Sequence, residues 1–203
     1  MHTNEERHRL RTLHARSVRL STDIVARVTP DQLDNETPCA AWHLRELLAH
    51  MSTENSGFAA AARGAGEAEG LWTAREYADP VAAYQSASAE VVAAFADENV
   101  FDRPVRLPEI APGFDIPAES AIGFHLVDSV VHAWDVASAI GVTVPVDHEL
   151  AAEALRIARA VPDDEGRLLD GAAFAPALAA ADDQPVLDQI LRLLGRSPTW
   201  PQG

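Results

Sequence analysis

Helix-period apolar stretches, each closed by proline or glycine, make up most of this chain, and no stretch alternates long enough to form a half-buried strand. The first helix is expected from about Asn4 to Val28, with Leu10, Leu13, Val18, Leu20, Ile24 and Val25 apolar, and Thr29-Pro30-Asp31 breaks it. Thr37-Pro38 resembles an N-cap hydroxyl followed by proline at the first helical position, so a second helix is expected to start there. It continues through Leu44, Leu47, Leu48, Met51 and Phe58 to Gly64-Ala65-Gly66. A third fits Asp79 to Ala96, a proline-rich loop covers Asn99 to Pro117, and a fourth helix runs from Ala118 to Ile140 before Gly141. Two shorter helices, Asp147–Ala160 and Val186–Leu194, flank an irregular stretch. The expectation is all-α: a four-helix bundle over residues 1–145 and a short C-terminal helical extension, 146–203, packed on the same domain.

With 203 residues, 47% of them hydrophobic, the chain can build one sizeable core. Its apolar runs are too short and too often charged for a membrane span. The opening MHTNEERHRLR lacks the apolar stretch of a signal peptide, and a single cysteine, Cys39, precludes an intrachain disulfide; a cytoplasmic location is expected. A net charge of -15 argues against a nucleic-acid partner. All 16 basic residues are arginine, which excludes lysine nucleophiles and Schiff bases and suggests a GC-rich genome.

Chemistry concentrates in two distant segments. On the fourth helix His125, Asp128 and His132 follow i, i+3, i+7 spacing; the second and third lie about 60° and about 20° from the first, so all share one face. Ala121, Ile122, Ser129 and Val136 neighbour them and look core-facing. A carboxylate between imidazoles there is costly unless it is paired or ligates a metal. On the second helix His50 and Glu54 are four apart, beside Leu47 and Met51. Any one of these histidines reads readily as a member of a satisfied hydrogen-bond network. Together they fit the inward-projecting ligands of metal bundles, with His50, Asp128 and His132 converging on one divalent cation and leaving a coordination position open.

The runs TPCAAWHLRELLAH and DSVVHAWDVASAIG, with the closing Gly195-Arg196-Ser197-Pro198-Thr199-Trp200, resemble the paired signature of the mycothiol-dependent maleylpyruvate isomerase-like proteins, in the DinB-like superfamily of metal-binding four-helix bundles. The resemblance implies His50, Asp128 and His132 as metal ligands. Asp128 stands where the characterised isomerase has glutamate, and residues 141–203 are too few for that enzyme's second, substrate-binding domain.

The expected function is therefore a metal-dependent enzyme, a thiol transferase or isomerase, acting on a small electrophile. The cation would be zinc first, given two imidazoles and a carboxylate, with nickel or iron as alternatives. It would activate a low-molecular-weight thiol, and mycothiol fits the actinobacterial host that an arginine-only basic set suggests. His125 and Glu54, one turn from the ligands, are the candidate proton-transfer groups. The alternatives are a hydrolase using metal-bound water and a non-catalytic bundle that binds a metal and a small ligand, or that forms a homodimer. Trp42 and Trp134 are expected to pack, Asp135 to cap or orient a neighbouring helix, and Cys39 to be a small packed residue at the second position of its helix. Arg75, Arg103 and Arg106 lie on loops that could meet an anionic substrate.

Overall fold

The computed structural model describes residues 3–108, 110–169 and 172–201. Among them there are six α-helices and no strand, so the all-α expectation holds. The chain divides into two compact units, one ending at Val144 and one beginning at Pro145.

In the first unit four helices, α1 (Asn4–Val25), α2 (Leu44–Ala62), α3 (Pro80–Ala96) and α4 (Ala118–Ala139), pack so that α1 and α2 each contact both α3 and α4. Thr3 and Glu6 cap α1 reciprocally, each side chain bonding the other's backbone amide. The helix stops three residues before its expected end. Arg27 and Val28 bond back to Ile24 and Val25, a tightening imposed because Pro30 disfavours helical geometry at Thr29. Asp79 caps α3 by accepting from the Ala82 amide, with Pro80 in the first turn. Gly141, at φ 70°, turns the chain out of α4.

The start of α2 differs from expectation. The helix begins at Leu44, not beside Pro38, and residues 37–42 form a turn. Thr37 Oγ1 accepts from the Cys39 amide and lies 2.8 Å from the Trp42 carbonyl, so the hydroxyl closes that turn. The first free amides of α2 are met instead by the preceding loop: Leu44 donates to Asn35 O and Arg45 to Leu33 O. Cys39 is therefore a turn residue, not a helical one. The expected loop from Asn99 to Pro117 contains a 3-10 segment, Glu98–Asp102, and a two-residue pairing of Val105 with Ile116.

Two apolar clusters fill the bundle. One gathers Val18, Phe58, Phe95, Leu107 and Ile122; the other Ile24, Leu44, Leu47, Met51, Tyr84 and Val136. A polar network touches both. His14 Nε2 lies 2.9 Å from His125 Nδ1, His125 Nε2 lies 2.8 Å from Asn55 Oδ1, and Asn55 donates to Ser88 Oγ. Tyr84 Oη donates to Ser21 Oγ at 2.7 Å. All of these residues are buried. Trp72 packs the loop after α2 down, its ring so close to Gly57 that a methyl group there would overlap it, while its Nε1 donates to Gly66 O.

In the second unit α5 (His148–Ala158) and α6 (Val186–Leu193) pack together. The irregular stretch between them is held by buried Arg167, which donates to the carbonyls of Pro162, Val161, Ala175 and Leu193.

The buried imidazoles of the first unit have a measurable consequence. Burial pushes His125 down to about 4, and burial followed by the neighbouring His125 pushes His14 well below the ordinary histidine range. Both are neutral in the fold, so below about pH 6.5 the unfolded chain binds more protons and stability falls with pH towards about 4. His125 alone contributes a slope of roughly 1.4 kcal/mol per pH unit in that window. Denaturant titrations at graded pH should show this loss, and His14→Gln, which keeps a donor but cannot titrate, should reduce the slope by roughly half.

Candidate metal centre

The packing of α2 on α4 places the candidate residues. His132 Nε2 lies 3.3 Å from Asp128 Oδ1, one turn earlier on α4. The His50 ring, on α2, stands 5.4 Å from the His132 ring and nearly perpendicular to it. Trp42, in the turn before α2, stacks on His50 at 4.4 Å and an angle of 31°. Glu54 Oε1 is 4.0 Å from His50 Nδ1. His50 and Asp128 each keep 27% of their side chains exposed, against 6% for His132, so the group opens to solvent on one edge. The three expected ligands thus share one place. Their donor atoms are not all within 4.8 Å of one another, and His50 is the outlying member, so closing on a cation requires its ring to move inward.

The far edge of the His132 ring is equally constrained. Nδ1 lies 2.9 Å from Asp135 Oδ2, and Asp135 has no solvent exposure. Cys39 Sγ donates to the same oxygen at 3.3 Å. Asp135 therefore bonds a histidine of its own helix, one turn back, and ties in the turn before α2. An imidazole that donates from Nδ1 to a carboxylate presents a lone pair at Nε2, the tautomer a metal ligand needs. Two imidazoles, a carboxylate and this orienting acid make a donor set that fits a divalent cation.

Burial would raise Asp128 and lower His132, but each is overruled by the other. His132, then His50 and His125, hold the Asp128 carboxyl well below its ordinary range. Asp128, with help from Asp135 and Cys39, holds His132 well above the ordinary histidine range. Without metal the two form an ion pair.

Of the two expected proton-transfer groups, Glu54 lies beside His50 with 14% exposure, while His125 is fully buried with both ring nitrogens engaged by His14 and Asn55. Trp134 is half-buried. Arg103 pairs with Asp97, and Arg106 with Asp115 and Glu67. Sequence patterning does not point to His14, Asn55 or the Cys39–Asp135 contact as parts of these networks. His14 does fall on the stripe of Leu10, Val18 and Val25, a spacing that could have shown it.

The model of the mycothiol maleylpyruvate isomerase N-terminal domain matches residues 14–137, from the buried His14 to one turn past His132. The chain belongs to this family. Two uncharacterized proteins of Mycobacterium tuberculosis, one from strain CDC 1551 / Oshkosh and one from strain ATCC 25618 / H37Rv, are each 31% identical to it over 190 residues, covering 91% of this chain and 96% of each relative. No solved structure gives a significant match. No helix among the described residues is long and apolar enough to cross a membrane.

Two measurements follow. Because His132 is protonated without metal, its folded pKa being raised, binding a cation at Nε2 expels one proton. Apparent Zn2+ affinity, measured against a competing chelator, should rise about tenfold per pH unit from about pH 6 until the raised His132 pKa is passed. Asp135→Asn should weaken Zn2+ binding about 10–100-fold at fixed pH, since the amide cannot hold the Nδ1 proton as a carboxylate does.

Proposed function

We propose that this protein is a metal-dependent enzyme that uses a low-molecular-weight thiol, mycothiol in its family's manner, for S-transfer to or isomerisation of a small electrophile in the cytoplasm. One observation carries the reading: His132 meets Asp128 on its solvent-facing edge and buried Asp135 on the other, with the His50 ring opposite. That arrangement orients an imidazole outward, towards a half-exposed acid and a second imidazole.

His50, Asp128 and His132 would hold the cation. When bound, a divalent cation favours the thiolate of a coordinated thiol and so supplies a nucleophile at neutral pH. Asp135 fixes the tautomer and the plane of His132. Trp42, stacked on His50, limits the rotation of that ring and covers one side of the site. Glu54 takes the proton that leaves the thiol and returns it to the product, since its carboxylate stands at the rim beside His50. His125, the other expected proton-transfer group, serves through the buried network that fixes α4 against α1 and α2. Asp128 reaches one methylene less far than a glutamate, which fits a cation held close to α4.

Turnover of a panel of electrophiles by the metal-loaded protein, with and without mycothiol, tests the proposal. Thiol-dependent turnover, abolished in His132→Ala, is the expected result. Thiol-independent hydrolysis would instead assign the centre to a metal-bound water, and no turnover with metal below about a tenth of an equivalent would leave a non-catalytic bundle. Glu54→Gln should lower kcat by about a hundredfold or more at unchanged metal content, as expected for loss of a proton-transfer group.

A further inference from the structure

Among the described residues, the group whose metal-ligating atoms all lie within 4.8 Å of one another is Cys39, His132 and Asp135. It lies on the edge of the His132 ring opposite the centre just described, and it brings the chain's one thiol to a histidine and an acid. We propose that Cys39 Sγ, His132 Nδ1 and Asp135 Oδ2 form a second cation site, selective for thiophilic ions such as Cd2+ or Zn2+.

The spacing suits it. A tetrahedral zinc ion separates nitrogen and oxygen donors by about 3.3 Å, and sulfur and oxygen donors by about 3.5 Å. Here Nδ1 and Oδ2 are 2.9 Å apart, and Sγ and Oδ2 are 3.3 Å apart. Side-chain shifts of a few tenths of an ångström would bring these two pairs to those separations, and Sγ and Nδ1 lie within 4.8 Å of each other. His132 and Asp135 are buried, so two of the three ligands are already held by the core, while half-buried Cys39 gives access and leaves the fourth position to water. A thiolate sorts cations by softness, which the imidazole and carboxylate set on the other edge does not.

The two sites share one ring. A cation at Nδ1 leaves the ring a single proton, at Nε2, where Asp128 Oδ1, 3.3 Å away, is placed to accept it; the Nδ1 proton and the thiol proton both leave to solvent. The two carboxylates then exchange tasks: Asp135 becomes a ligand and Asp128 the tautomer holder. A neutral imidazole offers a single lone pair, so occupation of the sulfur site weakens binding at the other edge. The inference does not depend on the proposed activity.

Cadmium titration of the full chain tests it, followed by the ultraviolet thiolate-to-cadmium charge-transfer band. Cys39 is the sole cysteine, so the band reports this residue alone. The expected result is a band saturating at one ion per chain in the unsubstituted protein, retained in His50→Ala, absent in Cys39→Ser, and needing at least about tenfold more cadmium in Asp135→Asn. Absence of the band in the unsubstituted protein would overturn the proposal. So would saturation at half an ion per chain, which means two chains sharing one cation through their thiols. Unchanged cadmium affinity in both Asp135→Asn and His132→Ala would also overturn it. Loss of zinc from His50→Ala with the cadmium band intact would bear only on the first centre.

Discussion

A carboxylate without solvent exposure must be met by donors or the helix carrying it will not pack. Asp135 is such a group, and it is met by the His132 ring one turn back on α4 and by the Cys39 thiol from the turn before α2. That single side chain joins two segments nearly a hundred residues apart. The tautomer His132 would take on a metal, the direction in which its Nε2 points, and the position of the turn carrying Trp42 all follow from it. Remove the acid, and nothing on the buried side holds the ring with Nε2 turned towards Asp128.

The centre is therefore built inward to outward. The innermost layer is the Asp135 carboxylate, then the His132 ring, then Asp128 and His50 with a quarter of their side chains open to water. Without a cation, the charge of Asp128 is balanced by a protonated His132, so the site is held by an ion pair that a metal must displace. Such a site binds its metal in competition with a proton.

Much of this is legible in the sequence. Pro117 and Gly141 bound α4, and the spacing of Asp128 and His132 is enough by itself to put both on one face of that helix. Helical periodicity brings His50 to the same place, because Leu47 and Met51 fix which side of α2 turns inward. The Thr37-Pro38 pair misleads, since a hydroxyl before proline closes a turn as readily as it opens a helix, and only the competing Asn35 and Leu33 carbonyls decide between them. The Cys39–Asp135 contact cannot be read at all. It depends on how a turn folds back on a distant helix, and no periodicity carries that. His14 and Asn55 are hidden for a different reason: polar side chains on an apolar stripe look like interruptions until their partners on other helices are known.

The His14–His125–Asn55–Ser88 chain has a polarity of its own. Asn55 gives its amide hydrogen to Ser88, so its carbonyl oxygen must receive from His125, which must in turn receive from His14. Every dipole in the series consequently points the same way, from α1 through α4 and α2 towards α3. None can reverse unless all do. The four helices are thus in register not only by shape but by the sense of their hydrogens, a form of alignment that interchangeable leucines cannot provide.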